Sequence, residues 1–388
     1  MVKQPPGVIL LIPSAREFDR GLRRGIIEYA QAHGPWTFHE EAPAYLHSLT
    51  PRQRLRNMRG WNAKGMIVLQ SRFAEFKSLR MPTIVAIGTR RLGESHCQIV
   101  CANREIGQMG ARALLGLGLR HFAYCGLEGL EFSDNRSVGF KQTIQEAGYS
   151  VDVYSALTRN LGESWYAETR QLARWLSAIP KPAGLMACND DRARMLIEIC
   201  RTQKIHVPDD IAIIGVDNDE QVCKSASPPL SSIALATERG GYEAAALLAS
   251  MMSGRTPATR VVTVSSTHVV SRQSTDILAI QDPIMVQSLR FIRNNSNRNL
   301  QVADLLAAAG LSRRALQDRF KRFLGRTPME EIHRCRVDHI AHLLIATNMT
   351  IGEIAAISGF EVDAHVSRFF SSQTGMTPLA YRRKNRIP

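Results

Sequence analysis

The chain has 388 residues, more than the ~100–200 of one domain, and its composition, 44% hydrophobic and 22% charged, is rich enough to build packed cores, which excludes a disordered chain. Lys and Arg number 49 against 35 Asp and Glu, a formal net charge of +14, and such a surplus points to a polyanionic partner such as nucleic acid. Seven cysteines with no CxxC pair disfavour disulfides and zinc ribbons. The opening MVKQPPGVILLIPSAREFDR has too short an apolar run for a signal peptide or a membrane span, so a cytoplasmic chain with reduced thiols and no membrane partner is expected.

In chain order, the runs GVILLIP, KGMIVLQ, TIVAIG, HFAYCG, AGLMAC and IAIIGV each predict a buried strand. Amphipathic stretches between them predict helices over Phe18 to Ala32, Glu105 to Leu117, Ser164 to Ala178, Asp191 to Lys204 and Glu238 to Ser253. Strand alternating with helix is the pattern of doubly wound parallel sheets. VVTVSSTHVV is a last β-rich run, and SRQSTDILAIQDP then shows turn residues and no sustained period. The chain is therefore divided into 1–272, a linker at 273–282, and 283–388.

From Asp282 the strand signal vanishes. Asp282 followed by Pro283 is an N-cap with proline in the first helical position, and Met285, Leu289 and Ile292 form an apolar stripe. Val302, Leu305, Leu306 and Ala309 make the next stripe, ended by Gly310, and Leu316, Phe320 and Phe323 another that begins at Ser312. The pattern then repeats at an offset of 49–50 residues: VADLLAAAGLS lies over IGEIAAISGFE, and LQDRFKRFLGRTP over VSRFFSSQTGMTP. Thr350 and Glu353 form a capping box at the start of the second copy. Two helix-turn-helix units are expected. EIHRCRVDHIAHLLIAT between them predicts a helix of ~16 residues, ~24 Å long, short of the ~34 Å repeat of DNA. Residues 285–388 hold 16 Lys and Arg against 8 Asp and Glu, so this all-α module carries most of the net positive charge.

With GLSRRALQDRFKRFLGRTP and IGEIAAISGFEVDAHVSRFFSSQTGMTP on one side and IIGVDNDE, ACNDDRAR and RSVGF on the other, the chain resembles two families. The C-terminal 100 or so residues resemble the DNA-binding domain of AraC/XylS transcriptional regulators. The first part is similar to the periplasmic-binding-protein-like ligand domain of LacI/GalR repressors. This resemblance implies an α/β two-lobed effector domain followed by an all-α tandem helix-turn-helix domain. The lobes would be about 7–118 plus 231–256, and 119–230 plus 257–272. It also implies a sugar-responsive transcription activator, with a pentose such as D-xylose as effector, double-stranded operator DNA and RNA polymerase as partners, and a homodimer. A repressor answering to another pentose is the alternative within that class. Outside it stands a soluble sugar-binding or sugar-processing protein with an incidental basic tail.

In doubly wound sheets ligands sit outside the carboxyl ends of the strands. Phe18 and Asp19 after the first strand, Arg136 in EFSDNRS, Asp190 in ACNDD and Asp217 in GVDN are therefore the candidate sugar contacts. Carboxylates and a forked guanidinium suit adjacent hydroxyls, and an aromatic suits a C–H face. Trp165 and Arg192 are weaker candidates. Asp190 and Asp217 have a competing use as helix caps. No GxxxxGK[ST], HExxH or GxSxG occurs, so neither catalysis nor a cofactor is expected. His333, His339 and His342 are not spaced for one metal-facing side.

The second helix of a helix-turn-helix presents its N-terminal outward residues to base edges. In the first unit these are Arg313, Arg314 and Gln317 for bases, with Lys321 on phosphate. In the second they are Asp363, His365, Ser367 and Arg368, a less basic set.

Overall fold

A computed structural model describes residues 5–41, 50–86, 92–93, 95–157, 165–277 and 282–385. Two six-stranded sheets carry the first part of the chain. The first contains β1 (Gly7–Leu11), β2 (Thr37–His39), β3 (Gly65–Leu69), β4 (Thr83–Ala86), β5 (Cys97–Cys101) and β11 (Val261–Val264), in the order β11-β5-β4-β3-β1-β2 and parallel throughout. The second contains β6 (His121–Glu128), β7 (Val151–Leu157), β8 (Ala183–Ala187), β9 (Ile211–Val216), β10 (Ser231–Leu235) and β12 (Ser266–Val270), in the order β12-β10-β9-β8-β6-β7, with β12 antiparallel at the edge. The β-branched and aliphatic runs read as strands are buried on both faces: β9, IAIIGV, is buried at every residue, as helices on both sides of a parallel sheet require.

The helices are α1 (Glu17–His33), α2 (Pro51–Gly60), α3 (Gln70–Phe76), α4 (Asn103–Leu115), α5 (Glu131–Glu146), α6 (Trp165–Ala178), α7 (Asp190–Thr202), α8 (Glu220–Ser225) and α9 (Thr237–Met252). The chain passes between lobes three times, but each passage lies one element from where the sequence placed it. α4 already packs on α5, β8, β10 and β12 of the second lobe, so the first passage falls at Ala102. β10 stays in the second sheet, with Ser231 opposite Ile214, so the second passage comes before α9. β11 returns to the first sheet, with Val262 opposite Ile99, and the third lies between Val264 and Ser266. Which sheet a strand joins is decided by partners far away in sequence, and nothing local records it.

Each lobe is backed by a close helix crossing. A Cβ on Gly25 of α1 would fall 1.8 Å from the Glu238 carbonyl oxygen of α9, and one on Gly107 of α4 would fall 2.0 Å from the Arg136 carbonyl oxygen of α5. Only glycine allows that approach, which holds α1 against α9 and α4 against α5.

The C-terminal part is helical: α10 (Pro283–Asn294), α11 (Val302–Ala309), α12 (Arg313–Leu324), α13 (Pro328–Ala346), α14 (Ile351–Ile357), α15 (Asp363–Thr374) and α16 (Pro378–Asn385). Asp282 caps α10 through the amides of Ile284 and Met285, and the Thr350–Glu353 capping box opens α14. Gly310 and Gly325 end α11 and α12 at φ 64° and 69°, and Gly375 ends α15 at 73°; these left-handed positions favour glycine. Leu289, Leu316 and Phe320 centre the first unit's core, and Ile354, Val366 and Phe370 the second's. α13, at 19 residues, is longer than the ~16 expected and packs into both cores.

This helical unit rests on the edge of the second lobe. The Tyr381 hydroxyl donates to the Thr267 carbonyl at 2.8 Å, and the rings of His342 and His268 share a hydrogen bond of 3.0 Å. Of the expected linker, Gln273–Thr275 is a 3₁₀ turn held in the second lobe: Ser274 is fully buried, donates to the Ile213 carbonyl at 2.6 Å and accepts from the Ser231 amide at 2.8 Å. Residues 278–281 lie outside the described residues.

Candidate functional site

The cleft between the lobes is built from strand ends. Arg136, 3% exposed, donates to the Cys188 carbonyl at 2.5 Å and to Asn103 Oδ1 at 3.1 Å, and its ring neighbour Phe132 lies 5.1 Å away. These bonds aim its remaining nitrogen at Asp217, with Nη2 to Oδ1 at 3.7 Å. Asp217 and Asn218 follow β9 with φ of 101° and 51°, backbone that costs non-glycine residues on the order of 1–3 kcal/mol and concentrates at functional sites. The turn is fastened on both sides: the Asn218 amide donates to Ser232 Oγ at 3.0 Å, and Arg272 Nη2 donates to Asn218 Oδ1 at 2.8 Å.

Burial pushes the Asp217 carboxyl up to about 6 against the pull of Arg136, and the charges of Asp191, Asp19 and Asp219 push the same way. Asp19, in the first turn of α1, is likewise raised to about 6 by burial, opposed by Arg16 and Arg20. Asp217 beside the buried Arg136 guanidinium sets an acceptor next to a donor, which suits adjacent hydroxyl groups, and Asp19 adds a second carboxyl.

Not every expected contact faces the cleft. Asp190 is 2% exposed, and its carboxylate is engaged inside the second lobe: Oδ1 accepts from Ser232 Oγ at 2.6 Å and Oδ2 from the Asp219 amide at 2.7 Å and from Cys223 Sγ at 3.4 Å. Burial holds its carboxyl well above the usual range. At 2% exposure and with both oxygens engaged inside the lobe, it organises the site from behind rather than meeting solvent, which corrects the expectation of a direct sugar contact. Phe18 is half-buried against the first lobe's core. Arg192 is a core residue, paired with Glu168 at 2.5 Å and close to Cys125 Sγ at 3.3 Å. The Trp165 side chain lies outside the described residues.

Sequence reasoning missed Asn103, Ser232, Arg272 and Asp219. Asp219 is the last of three polar residues in VDND and the cap of α8, through the amides of Gln221 and Val222; its position ahead of Glu220 and Gln221 was the available signal.

On the helical unit, Arg313, Arg314, Gln317 and Lys321 of α12 are all exposed, as are Asp363, His365 and Arg368 of α15, while Ser367 is half-buried. Leu316, Phe320, Val366 and Phe370 beneath them are fully buried, so α12 and α15 each turn an apolar face to the core and a polar face outward. Among the described residues no three His, Cys, Asp or Glu converge as metal ligands, and no helix is long and apolar enough to cross a membrane.

The chain matches the periplasmic binding protein-like domain over residues 111–275 and a helix-turn-helix domain over 305–384. The chain thus carries a periplasmic binding protein-like domain followed by a helix-turn-helix domain of the AraC type, the make-up of a transcription regulator. Among its relatives are the xylose operon regulatory proteins of Escherichia coli K12, 28% identical over 97% of both chains, and of Haemophilus influenzae, 27% identical over 98% of this chain and 99% of that one. A solved xylose-binding transcription activator aligns over 100% of both chains with TM-score 0.61 and 27% identity. A ribose operon repressor from Lactobacillus acidophilus, 18% identical with TM-score 0.54 over 71% of this chain, shares the fold of the effector domain.

Proposed function

We propose that this chain is a cytoplasmic, pentose-responsive transcription activator that binds D-xylose in the cleft between its lobes and operator DNA through α12 and α15. The reading is carried by the turn after β9, where two strained residues, Asp217 and Asn218, are held beside the guanidinium of Arg136. Strain of that kind persists where a ligand needs the geometry. Asp217, Arg136 and Asp19 take the sugar hydroxyls, Phe18 takes its C–H face, and Arg313, Arg314 and Gln317 read bases. The full-length match to regulators named for the xylose operon supports the choice of sugar. A homodimer on paired half-sites, recruiting RNA polymerase, completes the proposal.

Calorimetry of the full chain against D-xylose, L-arabinose, D-ribose and D-glucose tests it. D-xylose is expected to bind tightest. Asp217→Ala should remove a charge-assisted hydrogen bond of about 1.5–3 kcal/mol and weaken that binding at least tenfold. Wild-type protein that takes up none of the four sugars would sink the reading.

A further inference from the structure

α1 begins without a cap of its own. Its N-cap residue is Arg16, whose side chain makes no capping hydrogen bond, so the first amides of a 17-residue helix are left to find acceptors elsewhere. One of them finds an acceptor in the other lobe. The Glu17 amide donates to Asp219 Oδ2 at 2.9 Å, and the same oxygen takes Arg20 Nη2 at 3.0 Å. The other oxygen, Oδ1, accepts from Gln221 and Val222 and caps α8. One carboxylate thus caps two helices that belong to different lobes.

The group is held for that task. Its own amide is fixed by Asp190 Oδ2 at 2.7 Å, Asp190 is fixed by Ser232 at 2.6 Å, and Asp219 is 2% exposed. Arg20 is steadied from the far side by Glu17 at 3.0 Å and by the Ser14 and Ala15 carbonyls. A second bridge across the cleft, Arg16 to Asp191 at 2.6 Å, joins side chains that are 54% and 36% exposed, and exposed pairs contribute little. The buried contact is the one that matters.

We propose that Asp219 is the latch of the cleft: a positioning residue that touches no sugar but sets how firmly the lobes close, by capping α1 across the gap and pairing with Arg20. Opening the lobes leaves the Glu17 amide without its acceptor and separates a half-buried ion pair, so closure is favoured by the protein's own groups. The effector's affinity then contains the latch. This inference rests on the reading of the cleft as the sugar site, and the experiment separates the two.

Asp219→Asn is the clean variant. Asparagine caps helices as well as aspartate, so its one carbonyl can keep α8, but its amide group cannot accept from the Glu17 N–H. Lobe separation is measured in the absence of sugar by energy transfer between a dye in each lobe, and D-xylose affinity by calorimetry, both on the full chain. The expected result is a wider mean separation, affinity weakened at least tenfold, and an unfolding midpoint close to wild type. Arg20→Gln should do the same to a lesser degree, and the double variant should be no worse than Asp219→Asn alone. Unchanged separation and affinity would overturn the proposal, as would effects of the two substitutions that simply add. If wild-type protein binds no sugar yet Asp219→Asn still opens the lobes, the latch stands and the sugar reading fails.

Discussion

The cleft and the recognition helices are both charged, but they hold their charges differently. In the cleft Arg136 is tied to a carbonyl, an amide oxygen and a carboxylate, and Asp190 and Asp219 are bonded on both oxygens. On α12, by contrast, Arg313, Arg314 and Lys321 stand exposed, with no hydrogen bond or ion pair to any described side chain. The first arrangement fixes geometry before a ligand arrives, and the second leaves cations ready for phosphates and base edges. Substitutions that strip a buried group of its partners, as at Arg136, should therefore lower stability, whereas those on the exposed face of α12 should leave it unaltered.

The largest expected effect tests the first half of that contrast. Arg136→Ala should leave Asp217 without its partner and two acceptors unpaired, lowering effector-domain stability by about 3–5 kcal/mol, the usual range for breaking a buried pair; thermal unfolding measures it, and a midpoint unmoved from wild type would erase the distinction. On α12, Arg314→Ala and Gln317→Ala should each cost about 1–3 kcal/mol of operator affinity and relax preference at one or two base pairs. Their unfolding midpoints should stay where they were. Lys321→Ala should weaken all sequences alike and lower the salt slope of binding by about 1, read from a titration of affinity against salt.

A subtler effect lies where the two regions meet. Burial and the neighbouring His342 lower the His268 imidazole to about 4, so the docked arrangement favours a neutral ring. Among the groups that line the cavity there are Thr267 and His268 from β12, Arg293 from α10, Arg334, Asp338, His339 and His342 from α13, and Tyr381 from α16. A lowered imidazole means that the contact is fully present above the ordinary value near 6.5 and is lost as pH falls from there towards 4. Energy transfer between the two domains should therefore decline over that window in wild type and lose this step in His268→Asn. The smallest expected effect belongs to Ser367→Ala on the half-buried face of α15, within about 0.5 kcal/mol on operator affinity; a larger loss than that of Gln317→Ala would reverse the ranking of the two units.

What could be read from sequence followed the same divide. The helical unit was legible nearly residue by residue, because its signals are local: Asp282 before Pro283, Ser312 before α12, Thr350 with Glu353, and glycines at 310, 325 and 375. The strands of the effector domain were legible as strands, yet their allocation to sheets was not, since β10 and β11 look alike and differ only in their distant partners. The cleft was half legible. Strand ends brought forward Arg136 and Asp217, but Asp190 carried the same local pattern while its carboxylate turned inward to Ser232. Asp219 stayed hidden because its chief partner, the Glu17 amide, lies 202 residues away.

β12 is the edge strand of the lobe that supplies Asp217, and it is also the strand on which Tyr381 and His342 rest. Arg272, two residues past its end, holds Asn218 beside the strained turn. One short segment therefore touches the Asp217–Asn218 turn at one end and the helical unit along its length. Coupling free energies are reciprocal: whatever factor the sugar applies to operator affinity through this strand, the operator applies to sugar affinity in return. A promoter-bound molecule and a free one would then respond to different sugar concentrations, and the threshold of induction would be a property of the DNA as well as of the protein.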